Sequence, residues 1–292
     1  MITRRHAMSW GAMTLGTASL SAASLNAASL STATAGITPA ADFTDPVLAL
    51  RTHVKMVGSL GREAICSFMR LNIYADLGEG NFVPFFTMNN ILVDYWEPKE
   101  DNQHEMRKFE VGFYTRYDSH EILEEFDNPL TGKTVPIHLF KLGPVPRLYT
   151  PEGVMAMGYT PKLLPIEVIG DRVFLATESI ESRPDMVRPG ETNYTNSFMT
   201  FSAPLAQVLD PNVLSADVHL QLQNKNRWQP WMGLEGRLGG TVARGFGGKV
   251  KDLDALPDTV KQGARRLVPE IFDTANWTEF LFEDSEYLKS KS

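Results

Sequence analysis

Apolar residues recur at helical spacing in DPVLALRTHVKMVG (45–58), which predicts a short opening helix. Beyond it the period changes. REAICSFMRLNIYAD, FVPFFTMNNILVDYWEP, MRKFEVGFYTRYD, HEILEEFDNP and VPIHLFKL are runs rich in β-branched and aromatic residues, separated by Gly, Pro, Asn and Asp. That is the pattern of a β-meander. DSHEI follows one run, and DNPLTGK places Asn-Pro and Thr-Gly where a chain must reverse, so a hairpin is expected there. In KFEVGFYTRYD, Phe109, Val111, Phe113, Thr115 and Tyr117 fall on one face of a strand, and Glu110, Gly112, Tyr114, Arg116 and Asp118 on the other. One face is apolar and the other carries chemistry.

GPVPRLYTPEGVMAMGYTPKLLP (143–165) is punctuated by prolines and reads as a long irregular loop able to cover something. Strands resume at DRVFLATESIES, TNYTNSFMTFSAP and SADVHLQLQN. After Trp231 the chain is glycine-rich. LPDTVKQGARRLVPEIF reads as a helix interrupted near Pro269, and NWTEFLFEDSEYLKS as a C-terminal helix. The fold class expected is mainly β: a single antiparallel sheet, strongly curved or closed into a barrel, with a few flanking helices and no second domain.

With 292 residues, 43% of them hydrophobic, the chain is long enough to build a substantial core. Its net charge of −7 disfavours phosphate backbones, so nucleic acid is not an expected partner. The first 35 residues differ from the rest. Arg4 and Arg5 follow Thr3, a stretch without an acid runs as far as Asp42, ASLSAASLNAASLST repeats Ala-Ser-Leu, and Ala33 and Ala35 frame a small-x-small site before Gly36. This reads as an export leader of twin-arginine type, although Ala7 stands where Phe is commonest. Residues 36–292 are then one β-rich domain in a bacterial periplasm. No later stretch approaches the roughly 20 apolar residues of a membrane span, so no stable insertion after export is expected. Cys66 is the single cysteine, which rules out an internal disulfide and a thiolate metal cluster.

GxGxxG, Walker, HExxH and GxSxG motifs are absent, and GRLGGTVARGFGG lacks the Lys-Ser ending of a phosphate loop. The six histidines (6, 53, 104, 120, 138 and 219) have no metal-ligand spacing. No cofactor is therefore expected, and an enzyme built on this chain would work with its own side chains.

YTRYDSHEILEEFDNPLTGKTVPI resembles the strand-turn-strand block of a bacterial family catalogued as domain of unknown function 1838, whose members often carry twin-arginine leaders. RWQPWMG followed by glycines, and the later NWTEF, resemble the same family, so the likeness spans nearly all of the chain after its leader. What the resemblance implies is the breakdown of lignin-derived aromatic dimers, specifically a phenylcoumaran γ-formaldehyde lyase activity. Such a substrate carries a para-phenol, an ether-linked second ring and a CH₂OH group. It can act as its own electron sink, so the reaction needs a group that stabilises a phenolate, an acid for the leaving phenoxide and a base for the γ-hydroxyl.

For those roles the sequence offers Tyr114 and Arg116, two apart on the polar face of one strand, as proton relay and phenolate partner. On DVHLQLQN, His219, Gln221 and Gln223 share a face, and His219 is the candidate general base, with Asp118 and His120 next in line. Trp228 and Trp231 in QNKNRWQPWMGLEGR, with Arg227 beside them, could offer a stacking plane and a cation to a small aromatic molecule. They could equally plug one end of a small barrel. The leading function is thus a cofactor-independent lyase that releases formaldehyde. The alternatives are an exported lipocalin-like binding protein for a small aromatic or apolar ligand, and an envelope structural protein. The oligomeric state stays open, a homo-oligomer included, and so does the question of which strand face points inward.

Overall fold

The computed structural model of the chain describes residues 41–155, 162–184, 192–234 and 236–276. Residues 41 onward form one compact unit. The leader expected over 1–35 lies outside the described residues, as does all of NWTEFLFEDSEYLKS after Asn276, where a C-terminal helix was expected.

The opening helix is α1 (Pro46–Val57). The Asp45 carboxylate accepts from the Leu48 amide at 2.7 Å, and Pro46 occupies the first turn, where its missing N–H costs nothing. The strands are β1 (Glu63–Asp76), β2 (Phe82–Pro98), β3 (His104–Arg116), β4 (Glu125–Asn128), β5 (Lys133–Pro136), β6 (Phe140–Thr150), β7 (Gly153–Met155), β8 (Lys162–Leu163), β9 (Glu167–Ile169), β10 (Arg172–Pro184), β11 (Thr192–Pro204), β12 (His219–Asn226) and β13 (Gly240–Val250). A short helix α2 (Leu205–Leu209) follows β11. Near the end α3 (Asp258–Leu267) is separated by Val268 from 3₁₀ turns over Pro269–Asn276, the break expected at Pro269.

The strands form one antiparallel sheet in the order β7-β6-β3-β2-β1-β13-β12-β11-β10-β8, with β9 also on β10, while β4 and β5 make a separate hairpin at the DNPLTGK turn. Between the two outcomes the pattern allowed, the sheet is curved and open: among the described residues β7 and β8 are not paired with each other. It nevertheless curls far enough for β1, β2, β3, β6, β10, β11, β12 and β13 to line one cavity.

The glycine-rich segment proves to be β13, and its glycines permit this curl. A Cβ at Gly245 would sit 1.9 Å from the Arg70 carbonyl oxygen, and one at Gly247 2.1 Å from that of Phe68, so any side chain there would force β1 and β13 apart.

The irregular loop expected over 143–165 is corrected in its first half, because 143–150 is the greater part of β6. Pro144 and Pro146 are tolerated because β7 pairs with β6 only from Leu148 to Thr150, leaving the prolines on an edge where no N–H is needed.

Three apolar clusters hold this arrangement. The inner one fills the concave side, from Met69, Leu71 and Ile73 on β1 round to Leu220 and Leu222 on β12. A second lies on the outer face, where Phe109, Val111 and Phe113 of β3 pack under Val260 and Ala264 of α3 and under Ile271. The third joins Leu50 and Val54 of α1 to Trp96, Met106 and Tyr149. Two lysines, the buried Lys55 and the half-buried Lys249, fix α1 in place. Lys55 donates to the carbonyls of Val208 and Asp210 at 2.8 and 2.5 Å, and Lys249 to those of Lys55, Gly58 and Ala216 and to Ser215 Oγ at 2.7–3.1 Å. Burial drives the Lys249 ammonium down to about 7.

Candidate functional site

The concave face encloses a cavity of about 360 Å³, within the size range of small-molecule sites. Its position follows from strand alternation. Phe109, Val111 and Phe113 turn outward to α3, so Lys108, Glu110 and Tyr114 must turn inward. The face of β3 that carries chemistry is the face that lines the cavity. Leu71, Leu220, Leu222, Met199 and Phe201 supply the opposite, apolar wall.

Charge is gathered at one place on the inner wall by register. Asp94 on β2 is paired with Lys108 on β3, and the next pair along β3 sets Met106 against Arg147 on β6. Two residues along the same face, Glu110 accepts from Lys108 at 3.0 Å and from Asn90 Nδ2 at 2.6 Å. Tyr149 on β6 hydrogen-bonds with Arg147, and its ring lies 5.5 Å from that of His53 on α1 and 4.8 Å from that of Trp96. Four ionisable groups, the buried Asp94 and Tyr149 and the half-buried Glu110 and Arg147, are thus gathered on one patch.

Their neighbours set the two carboxyls apart. Burial lifts Asp94 to about 6, despite the opposing charges of Lys108 and Arg147. Burial pushes Glu110 up as well, but Lys108, the bond from Asn90 and the charge of Arg147 outweigh it, and the net shift is downward. A carboxylate that stays ionised beside a carboxyl poised near neutrality is an arrangement that divides acid and base roles. Burial raises the Tyr149 phenol, which keeps it a proton donor, and brings neutral His53 down to about 4.

Several cavity-lining polar atoms, although buried, have no hydrogen-bond partner among the described residues: His53 Nδ1, Asn90 Oδ1, Asp94 Oδ1, Trp96 Nε1, Arg147 Nε, Ser179 Oγ and Asn224 Oδ1. Each such group costs about 1–3 kcal/mol of stability. Their concentration around one cavity is what a binding site displays before its ligand satisfies them. A second cavity of about 330 Å³ lies between α1, the start of β7 and Leu164–Ile166, and shares His53 and Val154 with the first.

The residues chosen from the sequence are dispersed. Tyr114 is buried and lines the cavity, in edge contact with Phe86 at 4.9 Å. Arg116 lies at the exposed end of β3, paired with Glu121 at 2.7 Å, and Asp118 and His120 are exposed beyond it. His219, Gln221 and Gln223 face solvent, because they alternate with Leu220 and Leu222 and the leucines point into the cavity. Placing those three against an aromatic ligand is therefore corrected: the row lies on the convex side of the sheet.

Trp228 and Trp231 are 6% and 3% exposed. Trp228 Nε1 donates to the Arg237 carbonyl at 2.9 Å, and Trp231 stacks on Phe86 at 5.9 Å and 27°. With Phe85, Phe126 and Tyr114 they belong to the inner core cluster, while Arg227 is half-buried just after β12. Placing the tryptophans against a ligand is corrected because their rings are packed into that cluster, and the cavity wall beside them is made by Gln229 and Met232. Trp231→Phe should lower stability by about 1–2 kcal/mol in urea unfolding and change ligand affinity by no more than about twofold.

The residues missed in the sequence were Asp94, which sits within the apolar run ILVDYW, and the Arg147 and Tyr149 pair, hidden in the proline-rich segment. The alternation of β2 could have exposed Asp94, since it shares a face with Asn90.

Among the described residues no three of His, Cys, Asp and Glu converge as metal ligands, and no helix is long and apolar enough to cross a membrane. The family described as "Protein of unknown function (DUF1838)" matches residues 68–279. No curated protein and no solved structure matches the chain.

Proposed function

Since the chain belongs to the DUF1838 family, whose description carries no activity, we propose its function from the cavity: a cofactor-independent lyase that releases formaldehyde from a lignin-derived aromatic dimer of phenylcoumaran type. The observation that carries the reading is Asp94, fully buried, raised to about 6, with one carboxyl oxygen unpartnered among the described residues and in the electrostatic field of Lys108 and Arg147. A structural carboxylate would be expected to have both oxygens satisfied. The apolar wall suits aromatic rings, and the charged patch suits the oxygens whose protons must move.

The chemistry balances with these groups. Loss of the phenolic proton lets the ring expel the ether oxygen, which Tyr149 protonates while Arg147 stabilises the charge left on Tyr149. A quinone methide results. Asp94, as a carboxylate, takes the γ-hydroxyl proton. The Cβ–CH₂OH bond then breaks, its electron pair forms the stilbene double bond and restores the phenolate, and formaldehyde leaves. Asp94 releases its proton to the pool, from which the phenolate and Tyr149 recover theirs, so protons balance and nothing is oxidised or reduced overall. The twin-arginine-like pattern of residues 1–35 supports a periplasmic setting for this chemistry as part of the same proposal.

The alternative is a lipocalin-like carrier, which a curved sheet around an apolar-walled cavity would also serve. A carrier needs a polar anchor, however, and four ionisable groups on one wall, two of them buried, go well beyond one. Incubating purified protein with a phenylcoumaran dimer, and measuring trapped formaldehyde together with stilbene absorbance, tests the reading. Equimolar appearance of both supports it. Tight binding with neither product would leave the carrier.

A further inference from the structure

The cavity has a second polar end. Ser179 on β10, Ser197 on β11 and Asn224 on β12 are successive Cα partners in one row across three strands, and all three line the cavity. On one side the next rows of this face are mainly apolar, with Met199 paired to Leu222 and Phe201 to Leu220, and only Thr177 adding a hydroxyl; on the other side Asn226 and its partner Thr241 extend the polar stretch along the cavity wall. A line of hydroxyl, hydroxyl and amide in such a wall is not required by packing. Ser179 is 4% exposed, yet Ser179 Oγ and Asn224 Oδ1 have no partner among the described residues. Neither β10 nor β12 belongs to the elements that carry Asp94, Lys108, Glu110 and Arg147, which lie on β2, β3 and β6.

We propose that this row is a hydroxyl-recognition subsite, so that the protein selects ligands that have an apolar, aromatic body and a free O–H group at each end. Asn224 Oδ1 can only accept, and a hydroxyl such as Ser179 can complete a chain by accepting or donating, so the complementary group is an O–H donor. At the other end Asp94 Oδ1 and Asn90 Oδ1 also accept, the latter because Asn90 Nδ2 is already committed to Glu110. An ether oxygen in place of either hydroxyl leaves a buried acceptor facing an acceptor. The site therefore discriminates against O-methylated relatives. This rests on the cavity being the ligand site, as in the proposed function, but not on any reaction taking place there.

The test uses probes that cannot react: 4,4′-dihydroxybibenzyl, its mono-O-methyl ether and its di-O-methyl ether, titrated calorimetrically into the full-length protein and into Ser179→Ala and Asn224→Leu. Each methylation should weaken binding to the unaltered protein by about tenfold, as expected for leaving a buried acceptor unpaired. In either variant the diol should lose about tenfold while the mono-ether, which leaves this row unused, should hardly change, so the preference between the two collapses. Ser179→Ala removes one oxygen from a strand and keeps the measurement available should Asn224→Leu fold poorly. Equal affinity for all three probes, no binding of any, or a preference that survives in a folded variant would overturn the subsite. The expected probe pattern combined with no formaldehyde from a phenylcoumaran would uphold the subsite and remove the lyase reading.

Discussion

Asp94→Asn should lower formaldehyde release by about 10²–10⁴ while leaving binding of an unreactive aromatic diol within a few-fold of normal, because it removes the base and keeps a polar group of the same size. The unaltered protein should show turnover that rises with pH through about 6, as Asp94 gives up its proton. Stability should move the other way. The native carboxyl is raised from its ordinary 3.8 to about 6, so the native state binds the proton more tightly than the unfolded chain does. Its contribution is fully present below pH 3.8 and is lost as pH rises towards and through 6. Above that point the protein carries a buried charge, which the asparagine variant lacks. Asp94→Asn should accordingly be the more stable protein at pH 8, by up to about 3 kcal/mol in denaturant unfolding, and should lose that advantage at pH 4. A group retained at a cost to stability and needed for turnover is the behaviour of a working residue.

Arg147→Met should lower kcat/KM by about 10²–10³, the loss typical of removing a preorganised donor from a water-excluded site. It should also shift the pH dependence. Arg147 is one of the charges that hold Asp94 down, so without it the carboxyl is raised further and the rising limb of the pH–rate profile moves alkaline. Arg147→Lys separates the two effects. Its charge should return the limb towards that of the unaltered protein, whereas turnover should stay low, because an ammonium cannot reproduce the planar fork that meets Tyr149. A profile unmoved in Arg147→Met would mean that Asp94 does not set the rate.

The strands were legible in the sequence wherever alternation was clean, and β3 even disclosed a polar face and an apolar one. What alternation does not specify is which face turns inward. That depends on α3, distant in sequence, coming to lie on Phe109, Val111 and Phe113. Tyr114 was found because its polar neighbours stood out. His219, Gln221 and Gln223 stood out equally, and here the same signal marked an ordinary solvated face, since β12 sets its leucines towards the cavity.

Arg147 and Tyr149 were hidden because proline argues against a strand, and the argument fails on an edge where β7 covers only the last three residues of β6. β13 was hidden for a related reason: glycine weakens a strand in isolation, but here it is what allows β1 to approach so closely. The tryptophans show the limit of reading from a loop position. Prolines and glycines around Trp228 and Trp231 suggested a rim, whereas the loop buries both rings against Phe85 and Phe86.

Ligand should bind on the concave face, between the charged patch and the Ser179–Asn224 row. A crystal structure of the protein with 4,4′-dihydroxybibenzyl bound would reveal its position. The probe should lie inside the cavity, with one hydroxyl within hydrogen-bonding distance of Asp94 or Arg147 and the other at Asn224 or Ser179. Density for the probe on the convex face beside Gln221 and Gln223, or an empty cavity in crystals of protein that binds the probe in solution, would contradict it.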